Sequence, residues 1–237
     1  MFWLGGELIR AAFAYASDCG FSRRHSLPAR AAWLQKSSRR VLRILRVQIH
    51  ASGPVPGAGL LVSNHLSYLD ILVYSTLTPC VFVAKREIKH WPVFGWFARL
   101  GGTVFIDRER RTQAPRAATE IERALASGAL VVLFPEGTSS GGGAPLPFKS
   151  ALLQPAAQHI HPLTAGSIDY RLDDGDVSEE VCYWRDMTLL PHLVNLLGKR
   201  AVRATVGFSR LPGASPDRKE LARQLHAEIS RLKTSLS

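Results

Sequence analysis

Short apolar runs alternate along the chain with longer segments of helical periodicity. The strand-like runs lie at 46–50, 60–63, 81–84, 103–106, 129–134, 160–168 and 201–208. The segments of helical spacing lie at 68–77, 86–99, 113–127, 149–158, 188–197 and 216–234. Several central runs are apolar at every position, which is typical of strands that helices cover on both faces. The pattern predicts an α/β fold, namely one three-layer αβα domain with a mostly parallel or mixed central sheet.

The first 45 residues have a different pattern, that of two amphipathic helices. In the second, at 29–45, Trp33 and Leu42 share an apolar side at helical spacing. Its opposite side carries Lys36, Arg39, Arg40 and Arg43. Basic amphipathic helices bind anionic membrane surfaces, although a helix packed on the protein with a solvated basic face has the same pattern. We therefore divide the chain into N-terminal amphipathic helices at 1–45 and an α/β domain at 46–237.

The charge of the chain narrows the class of partner. The 237 residues carry a net charge of +11, and residues 1–50 hold nine Lys or Arg against two acids. Basic chains bind polyanions, either nucleic acid or an anionic membrane surface. The sequence contains no nucleic-acid reader motif, and its positive charge coincides with the amphipathic helices. We therefore expect a membrane surface with anionic lipid as partner and no nucleic acid, with a nucleic-acid-binding protein as the competing hypothesis.

Cysteine usage and the N-terminus bear on the compartment. The three cysteines are far apart and show no metal-binding spacing, so we predict neither disulfides nor a metal site and a reducing, cytoplasmic setting. Residues 1–20 lack the basic segment that opens a signal peptide, and Glu7 and Arg10 interrupt their apolar run. These charges also make the segment too polar to predict a transmembrane span.

Candidate chemistry begins at LLVSNHLSYLDIL, residues 60–72, where His65 precedes Asp70 by five positions. On one continuous helix such residues would lie about 140° apart around the axis, so they can meet only at a strand-to-helix corner. The capping-box pattern SYLD predicts that the helix begins at Ser67. Asp70 is then either a cap for the Ser67 amide or the acceptor of the Nδ1 proton of His65, which would make His65 a general base.

Two other segments carry polar residues at predicted strand ends. FPEGTSS, residues 134–140, places Glu136 and Gly137 directly after the most apolar strand, where open α/β sheets bind ligands. GGTVFIDRERR, residues 101–111, ends a strand at Asp107 and Arg108. An arginine there could bind a phosphate with two hydrogen bonds.

These segments, taken in order, resemble the motifs of the lysophosphatidic acid acyltransferase (PlsC-like) family. The similar stretches are NHLSYLD, VAKREI followed by GGTVFIDR, and FPEGTSS, while IHPLTAG at 160–166 resembles a fourth motif less closely. The similarity extends over about residues 46–210. The resemblance implies an O-acyltransferase that acts on a lysophospholipid at the cytoplasmic face of a membrane, as a peripheral or monotopic protein. It also favours membrane contact over simple packing for the N-terminal helices.

The resemblance also implies roles for individual residues. His65 would take the proton of the acceptor hydroxyl, with Asp70 holding the imidazole. The oxygen would attack the thioester of acyl-CoA or acyl-ACP, a co-substrate, without any cofactor or metal. Binding of the acceptor, with its phosphate and glycerol part, would fall to Lys85, Arg108, Glu136, Gly137 and Thr138.

Ser139 departs from the family pattern, because a basic residue commonly follows Glu-Gly-Thr. The serine, together with LPFKS at 146–150, resembles relatives that acylate lyso-ornithine lipids. Lys149 could replace the missing cation, so we expect 1-acyl-sn-glycerol-3-phosphate as acceptor and lyso-ornithine lipid as the alternative. A thioester hydrolase would use the same base, whereas a Ser-His-Asp hydrolase is disfavoured because the chain lacks a GxSxG elbow.

Overall fold

The computed structural model describes residues 2–19, 26–91, 94–107, 114–158, 161–212 and 214–236. Its strands are β1 Val47–Ser52, β2 Gly59–Ser63, β3 Cys80–Lys85, β4 Val104–Ile106, β5 Leu130–Leu133, β6 Leu163–Leu172 and β7 Val202–Arg210. Its α-helices are α1 Phe2–Cys19, α2 Leu27–Ile44, α3 Leu69–Leu77, α4 Phe94–Leu100, α5 Ala114–Ala126, α6 Gln154–Ala157, α7 Val177–Glu180, α8 Leu189–Gly198 and α9 Arg218–Leu236. Short 3-10 helices occupy Arg86–His90 and Ser150–Leu153.

All the described strands form one sheet in the order β1-β7-β6-β2-β5-β3-β4. The five strands from β6 to β4 are mutually parallel, whereas β7 is antiparallel to β6 and β1 is parallel to β7. The carboxyl ends of β2, β5, β3 and β4 therefore meet at one edge of the sheet. Strands β2 and β5 are buried along their whole length. The prediction of an α/β fold with a mostly parallel sheet is confirmed.

Two predicted helices are interrupted, each at a proline. The segment 86–99 divides into a 3-10 helix that ends at His90 and helix α4, because Pro92 forces the preceding Trp91 into an extended conformation. The segment 149–158 divides into a 3-10 helix and α6. Pro155, in the first turn of α6, has no amide proton to continue the preceding turn.

Helices cover both faces of the sheet. One buried cluster joins α2, α3 and α8 to one face, and a second joins α5, α6 and α9 to the other. Helix α2 takes part in this packing, because Trp33 is 1% exposed and Leu42 is 2% exposed. Its apolar side is thus the packing face, and Lys36, Arg39 and Arg43 lie exposed opposite to it.

Helix α1 packs on α2 and leaves an apolar ridge on its outer side. The indole nitrogen of Trp33 donates to the carbonyl of Ala11 at 2.9 Å, and the ring of Tyr15 contacts that of Trp33. Ile9 and Phe13 face away from this contact and are 63% and 74% exposed. None of the helices in the described ranges combines the length and the apolar character that crossing a bilayer requires.

Candidate active site

His65 lies in the corner that follows β2, before α3 begins. The helix begins at Leu69, two residues later than the capping-box pattern predicted, because Ser67 does not cap it. The hydroxyl of Ser67 is buried and has no hydrogen-bond partner among the described residues. The predicted start of the helix at Ser67 is therefore wrong. Residues 64–68 lie outside the helix, and their path places His65 against Asp70 in the first turn of α3.

The side chain of Asp70 is fully buried and collects four hydrogen bonds. Its Oδ2 accepts from the backbone amides of Leu66 at 2.7 Å and Ser67 at 3.1 Å, and it lies 2.7 Å from Nδ1 of His65. Its Oδ1 accepts from the hydroxyl of Tyr170 at 2.7 Å. Both interpretations left open by the sequence therefore apply, because Asp70 binds the Ser67 amide and the imidazole together.

This arrangement selects the tautomer of His65. The two backbone amides can only donate, so Asp70 acts as an acceptor, and Nδ1 of His65 must carry the proton that joins them. The lone pair of Nε2 is then left for another partner. The ring stacks on Phe134, with centroids 4.2 Å apart and planes 13° from parallel, and the side chain remains 21% exposed. His65 can therefore accept a proton from a molecule that enters from solvent.

The loop after β5 lies level with this corner because of the strand register. Val62 pairs with Leu133, so His65 and Glu136 are each three residues beyond a paired position. Oε1 of Glu136 accepts from the amide of His65 at 2.9 Å, and Oε2 accepts from the amide of Leu146 at 3.1 Å. The amide of Ser140 donates to the carbonyl of His65 at 3.0 Å. The loop thus fixes the backbone of His65 from both sides.

Glu136 has a different environment from the one its sequence context indicated. We expected its carboxylate to meet the acceptor, but it is 3% exposed and each of its oxygens already binds a backbone amide. Burial raises the pKa of Glu136 to about 7, although the hydrogen bonds from His65 and Leu146 act in the opposite direction. The geometry makes Glu136 a brace for the loop.

Gly137 and Lys149 form the cationic side of the loop. Gly137 has φ +77°, a conformation that favours glycine, and a Cβ there would lie 2.6 Å from Nζ of Lys149. The ammonium group of Lys149 therefore packs directly over the Cα of Gly137. The amide of Lys149 donates to the carbonyl of Pro135 at 2.9 Å, which fixes the two segments together.

The remaining predicted substrate-binding residues are at or near the same edge. Lys85 ends β3, the strand next to β5, and its side chain is exposed. Thr138 is exposed on the loop between Gly137 and Ser139. Arg108 lies outside the described residues, two positions beyond the end of β4.

Two further residues contribute to the site without a role predicted from the sequence, namely Tyr170 and Asn64, the first residue of the motif NHLSYLD. Tyr170 donates to Asp70 across 100 residues, and it reaches that position because β6 continues past the predicted 168 to Leu172. Asn64 extends the ladder between β2 and β6, because its side chain exchanges two hydrogen bonds of 2.9 Å with the backbone of Ile168. Asn64 precedes His65, so these bonds also fix the direction in which the corner begins.

Comparison with known proteins shows the family and the fold to which the chain is similar. A family model described as Acyltransferase matches residues 45–170. A lyso-ornithine lipid O-acyltransferase of Rhizobium meliloti is 34% identical over 217 residues, which cover 84% of this chain and 74% of the relative. A 1-acyl-sn-glycerol-3-phosphate acyltransferase of Neisseria meningitidis is 34% identical over 163 residues, 64% of each chain. The fold is shared with the crystal structure of PlsC, the 1-acyl-sn-glycerophosphate (LPA) acyltransferase of Thermotoga maritima, at 22% identity and a TM-score of 0.66 over 99% of this chain and 88% of that one.

Proposed function

The chain belongs to the Acyltransferase family, and from this premise we propose that it transfers a fatty acyl chain from an acyl thioester to the free hydroxyl of a lysolipid. The observation that carries the proposal is the dyad of His65 and Asp70, in which Nδ1 is engaged at 2.7 Å and the ring reaches solvent. A neutral imidazole held in this way is suited to general-base catalysis. The chemistry needs neither a metal nor a covalent acyl-enzyme.

The reaction follows from the direction in which the imidazole points. Nε2 of His65 takes the proton of the acceptor hydroxyl as its oxygen attacks the thioester carbonyl. When the tetrahedral intermediate collapses, the carbon–sulfur bond breaks and the imidazolium returns the proton to the departing thiolate. Asp70 stabilises the imidazolium that forms between these steps, without itself taking up the proton. The donor is acyl-CoA or acyl-ACP.

For the acceptor we place lyso-ornithine lipid first and 1-acyl-sn-glycerol-3-phosphate second. The relative named for the former aligns with 84% of this chain, and the one named for the latter with 64%. The hydroxyl of Ser139 donates to the carbonyl of Tyr183, so the position where the family commonly has a cation here joins two loops. The acceptor-binding residues of the proposal are Lys85 and Lys149, with Arg108, Gly137 and Thr138 of the family motifs.

We also propose that the enzyme works at a membrane surface with anionic lipid, on its cytoplasmic face. The exposed ridge of Ile9 and Phe13 would enter the lipid, and the exposed cations of α2 would contact the head groups. Arg39 and Arg43 lie on the outer side of α2. Peripheral attachment of this kind would bring the site to a lysolipid that stays in the bilayer.

The test is an acceptor panel. The full chain, added to vesicles, receives a labelled acyl-CoA or acyl-ACP together with lyso-ornithine lipid, with 1-acyl-sn-glycerol-3-phosphate, or with no acceptor. The proposal predicts labelled diacyl product from at least one lysolipid, and more from lyso-ornithine lipid. Release of free fatty acid without acceptor, at a rate equal to transfer, would instead identify a thioester hydrolase.

A further inference from the structure

A segment outside the family motifs closes over the catalytic corner. We name residues 181–187, between α7 and α8, the strap. The amide of Tyr183 donates to the carbonyl of Leu66 at 2.8 Å, and the carbonyl of Tyr183 accepts from the hydroxyl of Ser139. One residue of the strap is therefore hydrogen-bonded to the segment that follows His65 and also to the loop that follows β5.

Trp184, the next residue of the strap, rests on that loop. Its indole lies so close to Gly141 that a Cβ on Gly141 would be 2.5 Å from Cζ2 of the ring. Its Nε1 donates to the carbonyl of Ser178 at 2.9 Å, which fixes the orientation of the indole. Gly141 follows Ser140, whose amide binds the carbonyl of His65. The indole thus packs with a fixed orientation on Gly141, the residue that directly follows a contact with the catalytic corner.

Arg185 stacks on the Trp184 indole, and its backbone adopts an unfavourable conformation. Its φ of 53° lies in the left-handed region, which few residues other than glycine adopt. Its guanidinium carbon lies 3.8 Å from the centroid of the Trp184 ring, in a cation–π contact. The side chain is exposed, and no ion pair joins it to any acid in the described part of the chain. A strained backbone that presents a cation without an ion pair, two residues after the hydrogen bond from Tyr183 to Leu66, is a feature that a purely structural role does not require.

We propose that Arg185 is a specificity residue, whose guanidinium binds the anionic group of the acceptor's head group while the hydroxyl faces His65. This inference rests on the proposed function and names one of its contacts. An arginine suits a planar carboxylate, such as that of an ornithine head group, because it can form two parallel hydrogen bonds to it. The strap thereby supplies a cation near the loop in which Ser139 occupies the usual basic position.

The inference is tested by removing the charge from each partner in turn. R185Q and wild type are compared with lyso-ornithine lipid and with its methyl ester, which lacks the negative charge. We expect R185Q to raise the KM for the free carboxylate about three- to tenfold and to leave the KM for the ester within a factor of about two. R218Q is the matched control, because it removes the same charge from the exposed start of α9, on the opposite face of the sheet.

Binding separates this inference from the proposed function. The H65A protein, without any acyl thioester present, is titrated with short-chain forms of the same two lysolipids with and without R185Q. The inference is supported if R185Q weakens both the KM and the binding of the carboxylate form and leaves both almost unchanged for the ester. An equal loss for carboxylate and ester, no loss for either, or a rise in the KM of the acyl thioester alone would overturn it. Transfer by wild type to any lysolipid supports the proposed function whatever the R185Q ratio, so the two proposals can fail separately.

Discussion

Oδ2 of Asp70 lies 2.7 Å from Nδ1 of His65 and accepts two backbone amides at the same time. Three donors thus converge on one oxygen, and the hydroxyl of Tyr170 holds the other oxygen. Because every donor is fixed by backbone or by buried packing, the carboxylate has a single orientation. The contact between Nδ1 and Oδ2 then fixes the orientation of the imidazole and places its proton on Nδ1, which leaves Nε2 as a base.

Replacement of Asp70 by asparagine tests the role of its charge. An amide oxygen in the place of Oδ2 can still accept from Leu66, Ser67 and Nδ1, but the amide nitrogen in the place of Oδ1 cannot accept from the Tyr170 hydroxyl. The neutral amide also cannot stabilise the imidazolium that forms during the reaction. We expect kcat of D70N to fall at least about 10²-fold, the scale of general-base catalysis, with KM changed little. Steady-state acyl transfer measures this, and D174N, on an exposed loop, is the control. If D70N kept most of its kcat, Asp70 would be a helix brace only.

The pKa of Glu136 predicts how stability depends on pH. Burial raises this pKa from 4.5 to about 7 in the folded protein, so the folded state holds the proton more tightly than the unfolded chain. The contribution of Glu136 to the free energy of unfolding is therefore largest below about pH 4.5 and falls as pH rises to about 7. We expect wild type to lose on the order of 3 kcal/mol relative to E136Q across this range.

Denaturant unfolding of both proteins at a series of pH values measures that difference. E136Q also loses one of two acceptors for backbone amides, so it has a constant penalty at every pH. The pH-dependent part is the test. A difference between the two proteins that stays flat across the range, or that grows in favour of wild type as pH rises, would contradict the burial argument.

Gly141 and Gly143 provide a matched test of the strap. A Cβ at Gly141 would meet the Trp184 ring at 2.5 Å, whereas a Cβ at Gly143 has open space around it. We expect G141A to lose about 1–3 kcal/mol of stability, as overpacked sites do, and to lower acyl transfer, while G143A does neither. Thermal unfolding and transfer rates measure both variants. The W184A background should abolish the penalty of G141A, and an undiminished penalty there would refute the contact.

Polar substitution of the apolar ridge on α1 is expected to weaken membrane binding. Ile9 and Phe13 are 63% and 74% exposed, and burying one such side chain contributes about 1.5–3 kcal/mol. We expect I9S/F13S to lower partition into vesicles that contain anionic lipid by at least about tenfold, without lowering the melting temperature. Vesicle co-sedimentation measures partition. V55S is the control, because Val55 is also exposed but lies before β2, at the edge of the sheet away from His65.

The sequence revealed the parts of the site that are local and missed the parts that depend on tertiary packing. His65 and Asp70 belong to one strand-to-helix corner, so their spacing made a contact possible, and the family resemblance then selected that contact over a simple helix cap. Tyr170 reaches Asp70 only because β6 pairs with β7 along its whole length, which no local pattern of residues indicates. Glu136 looked like a substrate ligand because its position at a strand end was visible and its two amide partners were not.

The assignment of α2 shows the same limit. Its stripe of apolar residues was visible in the sequence, but a membrane and a protein core select the same stripe. Only the packing of Trp33 and Leu42 in the structure distinguishes the two. Helix α1 is the helix that leaves an apolar ridge uncovered.

The most direct test of the central claim is the rate of labelled acyl transfer to the lysolipid by H65A. The account predicts a loss of at least about 10²-fold in kcat, because the structure describes no other base that is held next to the lysolipid hydroxyl as Nε2 of His65 is proposed to be. H50A, which removes an exposed histidine from β1, should transfer at the rate of wild type, and both variants should keep its melting temperature. Transfer by H65A at close to the wild-type rate, with the fold intact, would contradict the account.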